Sequence, residues 1–131
     1  MIVGGIKGYF VLRRAAKRLM NKWETMKDVA QNDLEALKRA ETSYGDSWKR
    51  RGGVGAYMML ARKFDRIEHQ AEKHGWDIFE AGEVYVGEAG LLDDIRDLRR
   101  YLILVENEIL ENTRNLGVED DNYVENDKEE E

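Results

Sequence analysis

The stretch Leu91-Leu-Asp-Asp-Ile-Arg-Asp-Leu-Arg-Arg-Tyr-Leu-Ile-Leu-Val-Glu-Asn-Glu-Ile-Leu-Glu-Asn112 decides the fold class. Leu91, Ile95, Leu98, Leu102, Val105 and Ile109 recur at steps of four and three, which is one face of a 3.6-residue helix. A half-buried strand would alternate at every second residue, and this run does not. The spacing predicts a helix from about Gly90 to Asn112, ended by Asn115 and Gly117. Working toward the amino end, Tyr57, Leu60, Phe64, Ile67 and Ala71 predict a second helix from about Ala56 to His74, with Gly75 as its C-terminal cap. The stretch between these helices reads as irregular, with a short strand at 83–86.

A third stripe, Leu12, Ala16, Leu19, Trp23, Met26 and Ala30, continues through Leu34, Leu37 and Glu41. Unbroken, that helix would run from about 10 to 42 and measure roughly 50 Å at 1.5 Å per residue. A domain this small cannot cover it, so the stripe predicts a partner chain. The break, if there is one, falls near Asn32, because Asp33 is a good N-cap before Leu34.

Composition agrees with helices. The 131 residues contain no proline, which a sandwich or barrel would use to punctuate its strands, and 42% are hydrophobic, enough for one core. There is no cysteine, which excludes disulfides, thiolate metal sites and cysteine nucleophiles and fits a reducing cytoplasm. The apolar, glycine-rich segment Met1 to Leu12 precedes its charges, Arg13, Arg14, Lys17 and Arg18, instead of following them. It lacks a small-residue cleavage site and is far shorter than the ~20 residues of a membrane span, so it reads as a docking or oligomer-contact segment, or else as a frayed start, and no membrane is expected.

The net charge of −6 is unevenly placed. Residues 119–131 hold eight acids and one lysine, which leaves 20 bases and 19 acids in the first 118 residues. The body is nearly neutral, and the tail is too polar to offset its chain entropy, so disorder is expected there. The organisation expected is an N-terminal helix for oligomer contact over 1–32, a helical domain over 33–118 and a disordered acidic tail over 119–131. A body without excess positive charge gives no reason to expect direct binding to duplex DNA.

Two groups of residues carry chemistry. Asp65 and Glu68 on the second predicted helix, and Asp94 and Asp97 on the third, are each spaced i,i+3. At about 100° per residue, Glu68 and Asp94 lie roughly 60° from their apolar stripes, and Asp65 and Asp97 roughly 120°. The pairs thus border the core, where carboxylates from facing helices suit magnesium. The offsets run in opposite senses, however. Helices packed stripe to stripe would put the pairs on opposite flanks, and Arg62, Arg66, Arg96 and Arg99 stand ready to pair with them. The other group is Tyr44-Gly-Asp-Ser-Trp-Lys-Arg-Arg-Gly-Gly-Val-Gly55, which loses helical periodicity and reads as a loop. Lys49, Arg50 and Arg51 offer cations to phosphate, Gly52 to Gly55 lead into a helix N-terminus, and Tyr44 and Trp48 suit stacking on a base. No Lys-Ser or Lys-Thr follows the glycines, so this is not a P-loop. His69 and His74 read as surface residues. No nucleophile–base arrangement is evident, so no catalytic group is assigned.

Three blocks, Tyr44-Gly-Asp-Ser-Trp-Lys-Arg-Arg-Gly-Gly, Leu60-Ala-Arg-Lys-Phe-Asp-Arg-Ile-Glu68 and Leu92-Asp-Asp-Ile-Arg-Asp-Leu-Arg-Arg-Tyr101, resemble the nucleotide-modification-associated domain, type one, of bacteriophages and bacteria. The resemblance covers roughly residues 33 to 112. More distantly the chain is similar to the all-α nucleoside triphosphate pyrophosphohydrolases, MazG-like and helical dUTPase-like. The resemblance implies an all-α, cytoplasmic, oligomeric, phage-type protein that handles a nucleotide or nucleotide-derived molecule. It also implies Mg at Asp65, Glu68, Asp94 and Asp97, and phosphoanhydride hydrolysis as the candidate reaction. The nucleotide site then comprises Tyr44, Asp46, Trp48, Lys49, Arg50, Arg51, Lys63, Arg66 and Tyr101. Two other classes of function compete: a non-catalytic protein that sequesters a nucleotide signal of host defence, and a structural helical interaction module.

Overall fold

The computed structural model describes residues 21–83 and 90–117. The fold is all-α: the described residues form four α-helices and one 3-10 turn, with no strand among them. The expected docking segment at Met1 to Leu12, the apolar positions Leu12, Ala16 and Leu19, most of the expected strand and the acidic tail lie outside the described residues. The chain divides into two compact units, Met1–Gly45 and Asp46–Glu131.

In the first unit, helix α1 runs from Lys22 to Tyr44. Asn21 stops it at the amino end. Its extended backbone leaves the helix, its side-chain oxygen accepts the N–H of Glu24 at 2.9 Å, and its amide nitrogen donates to the Glu24 carboxylate at 3.3 Å. Of the two alternatives, the unbroken one holds over the described residues: the helix passes through Asn32 and Asp33 without interruption and begins after Asn21. Asp33 does not cap, because it is buried in mid-helix, and no buried side-chain oxygen or nitrogen among the described residues lacks a hydrogen-bond partner. Gly45, with φ of 54°, ends α1 and donates its N–H to the Glu41 carbonyl. The apolar positions Trp23, Met26 and Leu34 are exposed.

The second unit opens with the 3-10 turn Ser47–Lys49 and continues into helix α2, Gly52–Glu72. The glycine run expected to be loop is instead the first turn of α2. Two of its glycines have a conformational reason to be there. Gly52 sits at φ of 70°, and a Cβ at Gly55 would meet the Arg51 Cβ at 2.8 Å. At the other end Gly75 and Trp76 both take positive φ, and the Trp76 N–H returns to the Ala71 carbonyl at 2.8 Å, closing the helix where Gly75 was expected to.

The stretch expected to be irregular holds helix α3, Ile78–Glu83. Asp77 makes it possible, since its Oδ1 accepts the N–H groups of both Phe79 and Glu80. Glu83, the first residue of the expected strand, is helical. Helix α4, Leu91–Asn115, then runs back along α2 and ends at Leu116 and Gly117, the latter with φ of 77°. The order of contacts, Gln70 with Asp94, Lys63 with Asp97 and Lys49 with Glu108, shows that α2 and α4 are antiparallel.

The core of this unit is small. Ile67 of α2, Ala81 of α3 and Leu91 of α4 form it, with Ile95 and Leu98 packed against them. The predicted stripes are only half used. Ile67, Ala71 and Leu91 are buried, whereas Tyr57, Phe64, Leu102 and Ile109 are exposed. The short helix α3 touches both α2 and α4 and covers the stripes only where α2 ends and α4 begins.

Candidate functional site: an ionic seam and the basic end of α2

Two ion pairs stitch helices α2 and α4 together, and a third ties the 3-10 turn to α4. Asp94 has 2% of its surface exposed. It accepts from Arg66 Nε at 2.7 Å on one oxygen and from Gln70 Nε2 at 2.6 Å on the other. One turn along α4, Asp97 takes Lys63 Nζ at 2.9 Å. Farther along, Glu108 accepts from Lys49 Nζ at 2.8 Å, tying the 3-10 turn to α4. That hydrogen bond, reinforced by the negative charge of Asp46, Glu108 and Glu111, raises the Lys49 ammonium above its ordinary value against the opposing effect of desolvation.

These contacts redistribute the residues picked out in the sequence. Asp94 and Asp97 face α2, while Asp65 and Glu68 are exposed. Asp65 instead lines a shallow depression of about 400 Å³ with Met58, Ala61, Arg62, Arg66 and His69, all residues of α2 itself. Among the described residues no three carboxylate or imidazole side chains gather into a group able to hold a metal. Within the described residues the four acids expected to hold Mg, Asp65, Glu68, Asp94 and Asp97, do not form such a group. The reason is the one visible in their rotational offsets. The side of α4 that carries Asp94 and Asp97 packs on α2, and the side of α2 that carries Asp65 and Glu68 turns away.

The expected nucleotide site is also divided. Lys63 and Arg66 are held in the seam, Lys49 is held by Glu108, and Asp46 lies 4.0 Å from Lys49. Trp48 is half-buried in the 3-10 turn, and Tyr101 is half-buried on α4, one turn beyond Asp97. Tyr44 ends α1 in the other unit and is exposed. Arg50 and Arg51 are different. Both are exposed, and neither has an ion-pair partner among the described residues. Arg51 occupies the N-cap of α2, where a guanidinium has no lone pair to offer, so the N–H groups of the first turn have no side-chain cap.

Two partners escape a reading of the sequence alone, Gln70 and Glu108. The i,i+4 spacing of Arg66 and Gln70 was a usable signal, because such residues reach the same point across a helix pair. Glu108 had none, since only the inter-helix register puts it beside Lys49. No helix among the described residues is long and apolar enough to cross a membrane. Comparison with protein-family models, curated proteins and solved structures gives no match to this chain.

Proposed function

We propose that the protein binds a phosphorylated small molecule of the nucleotide class at the amino end of α2. The observation that carries this reading is the pairing pattern of the cations. Lys49, Lys63 and Arg66 are each engaged by a carboxylate, whereas Arg50 and Arg51 have no ion-pair partner among the described residues and lie beside a helix start without a side-chain cap. Adjacent guanidinium groups and free backbone N–H groups suit phosphate oxygens, and the helix dipole adds to them. Trp48, in the turn just before, supplies an aromatic surface within reach of a base attached to such a phosphate.

Binding is the primary reading and hydrolysis a dependent one. Magnesium chemistry by Asp65, Glu68, Asp94 and Asp97 requires the seam to open or a second chain to contribute carboxylates. A sequestering role, such as removal of a phage-defence signal, needs only the basic end. The test is calorimetric titration and thermal shift with nucleoside mono-, di- and triphosphates, with and without magnesium. The expected result is affinity that rises with phosphate count and survives chelation of magnesium. No binding by any nucleotide, or binding untouched by Arg50→Ala with Arg51→Ala, refutes it.

A helical interaction module that assembles with copies of itself is the second reading, and it is compatible with the first. The observation in its favour is the exposed apolar series Trp23, Met26 and Leu34 on α1. Cytoplasmic location belongs to the same proposal.

A further inference from the structure

The antiparallel pairing of α2 and α4 fixes where the chain leaves its second unit. Glu108 reaches Lys49 in the turn just before α2, and α4 continues beyond Glu108 to Asn115, a further rise of about 10 Å. The carboxyl end of α4 and the amino end of α2 therefore lie at the same end of the helix pair, and the core of Ile67, Ala81 and Leu91 lies toward the other. The cations at the shared end are not equally engaged. Lys49 takes Glu108 at 2.8 Å, and Asp46 and Glu111 direct their charge at the same ammonium. Arg50, Arg51 and Arg114, the last in the final turn of α4, are exposed and have no ion-pair partner among the described residues.

We propose that residues 119–131 occupy this basic end in their own chain and compete there with the phosphorylated ligand. Composition supplies the charge, since these residues hold eight acids against one lysine. Position supplies the proximity. The last described residue is Gly117, so the acids begin two residues farther on, at the end of the helix pair that carries Arg50 and Arg51. Thirteen residues span at most roughly 45 Å when extended, several times the rise from Glu108 to Asn115. A tether that short holds its carboxylates near the arginines at an effective concentration on the order of millimolar. No ordered structure is required of the acids, because each contact is one carboxylate against one exposed guanidinium. Such exposed pairs are individually weak and are screened by salt. The contact is therefore easily displaced, which suits a competitor better than a permanent plug. The rival partner for the acids is the chain's other basic cluster, Arg13, Arg14, Lys17 and Arg18, which belongs to the other unit. Competition with the ligand rests on the nucleotide reading above, whereas the contact itself does not.

The protein has no cysteine, so Asn126→Cys gives a single attachment point for a nitroxide label on the full chain. At low salt the label should broaden the nuclear magnetic resonance signals of the amides from Arg50 to Val54. The broadening should vanish at about 0.5 M salt, where screening shortens to a few ångströms, and in the variant carrying Arg50→Ser with Arg51→Ser. No broadening at those amides overturns the contact. Broadening that survives the loss of both arginines overturns it too, as does broadening that falls on residues 13–18 instead. Equal broadening when the label and the observed nuclei are on different chains shows a contact between copies and likewise overturns it. Deleting residues 119–131 should raise affinity for a nucleoside triphosphate about fivefold, the gain from opening a site that is covered about four-fifths of the time. Unchanged affinity in the shortened chain overturns the competition. Nucleotide binding by neither the full nor the shortened chain sinks the proposed function and the competition with it, while the label still decides the contact.

Discussion

The two ends of helix α2 treat their arginines in opposite ways. At Arg66 the guanidinium meets a carboxylate that is almost wholly removed from water, and Gln70 takes the second oxygen. At Arg50 and Arg51 the guanidinium groups face solvent beside a helix start without a side-chain cap. The chain has enough acids to pair every base, so the difference is one of placement. Pairing in the seam serves the packing of α2 on α4. At the amino end neither arginine has an ion-pair partner among the described residues, which is what the proposed anion site requires. The contrast teaches that a cation's partner, more than its position in a motif, separates structural from ligand-binding roles.

The largest test of this contrast lies in the seam. Arg66→Ala leaves the Asp94 carboxylate buried with only the Gln70 amide, and breaking one partner of a buried pair costs about 3–5 kcal/mol. Arg66 is itself partly exposed, so the lower end of that range is expected. Urea unfolding should show it as a lowered midpoint with little change in slope. A midpoint within about 0.5 kcal/mol of wild type, the level of an ordinary surface substitution, would mean that the pair does not hold the helices.

Next in size is the opposite result at the basic end. Removing Arg50 and Arg51 together should lower affinity for a nucleoside triphosphate by about a hundredfold or more, from the loss of charge-assisted hydrogen bonds worth about 1.5–3 kcal/mol each. The unfolding midpoint should stay within the surface range. Were stability to fall while affinity held, the two ends of α2 would have exchanged roles, and the proposed function would fail with them.

How far the sequence reveals these roles depends on what each requires. The 3.6-residue spacing of Leu91, Ile95, Leu98 and Leu102 reports a helix because periodicity is local, and Gly75 and Gly117 report stops because positive φ is local. The start of α2 was hidden, since Gly52, Gly53 and Gly55 carry no side chains to show a period. Helix α3 was hidden because six residues are too few to show one. The acids of the seam were visible as charges at the border of the apolar stripes. Their partners were not, because Arg66, Gln70 and Lys63 reach them only through the register of two helices far apart in sequence. Wheel offsets of opposite sense left open whether Asp65 and Glu68 would meet Asp94 and Asp97, because the offsets do not fix how two helices pack.

A smaller effect tests whether the glycine start of α2 is built for backbone geometry or for ligand approach. Gly52→Ala forces a β-carbon onto a residue at φ of 70°, which costs roughly 1–2 kcal/mol by left-handed strain. Gly53 has open space at its Cβ position and no positive φ, so Gly53→Ala should leave stability unchanged or slightly raised. If Gly53→Ala nonetheless weakens nucleotide binding, close approach of the ligand to that backbone is the cause. If it does not, the arginines alone account for the site.

The smallest effect is the one at Lys49, which stands between the two ends as a cation of the basic turn that has been drawn into the seam. Glu108 accepts its hydrogen bond and holds the ammonium above the ordinary lysine value of 10.5, with Asp46 and Glu111 adding attraction. The folded chain therefore keeps this proton to higher pH than the unfolded chain does. A raised value stabilises the fold fully below the unfolded value of 10.5, and the contribution is lost as the pH climbs through the folded one. The amine is accessible to solvent, so the effect is small and screened by salt. Wild type should exceed Lys49→Met in urea midpoint near neutral pH, and the gap should narrow only above about pH 10.5. Glu108→Gln should reproduce the loss at neutral pH. A gap that persists unchanged into strongly alkaline solution would show that the lysine stem, packed against the turn, supplies the stability and the charge does not.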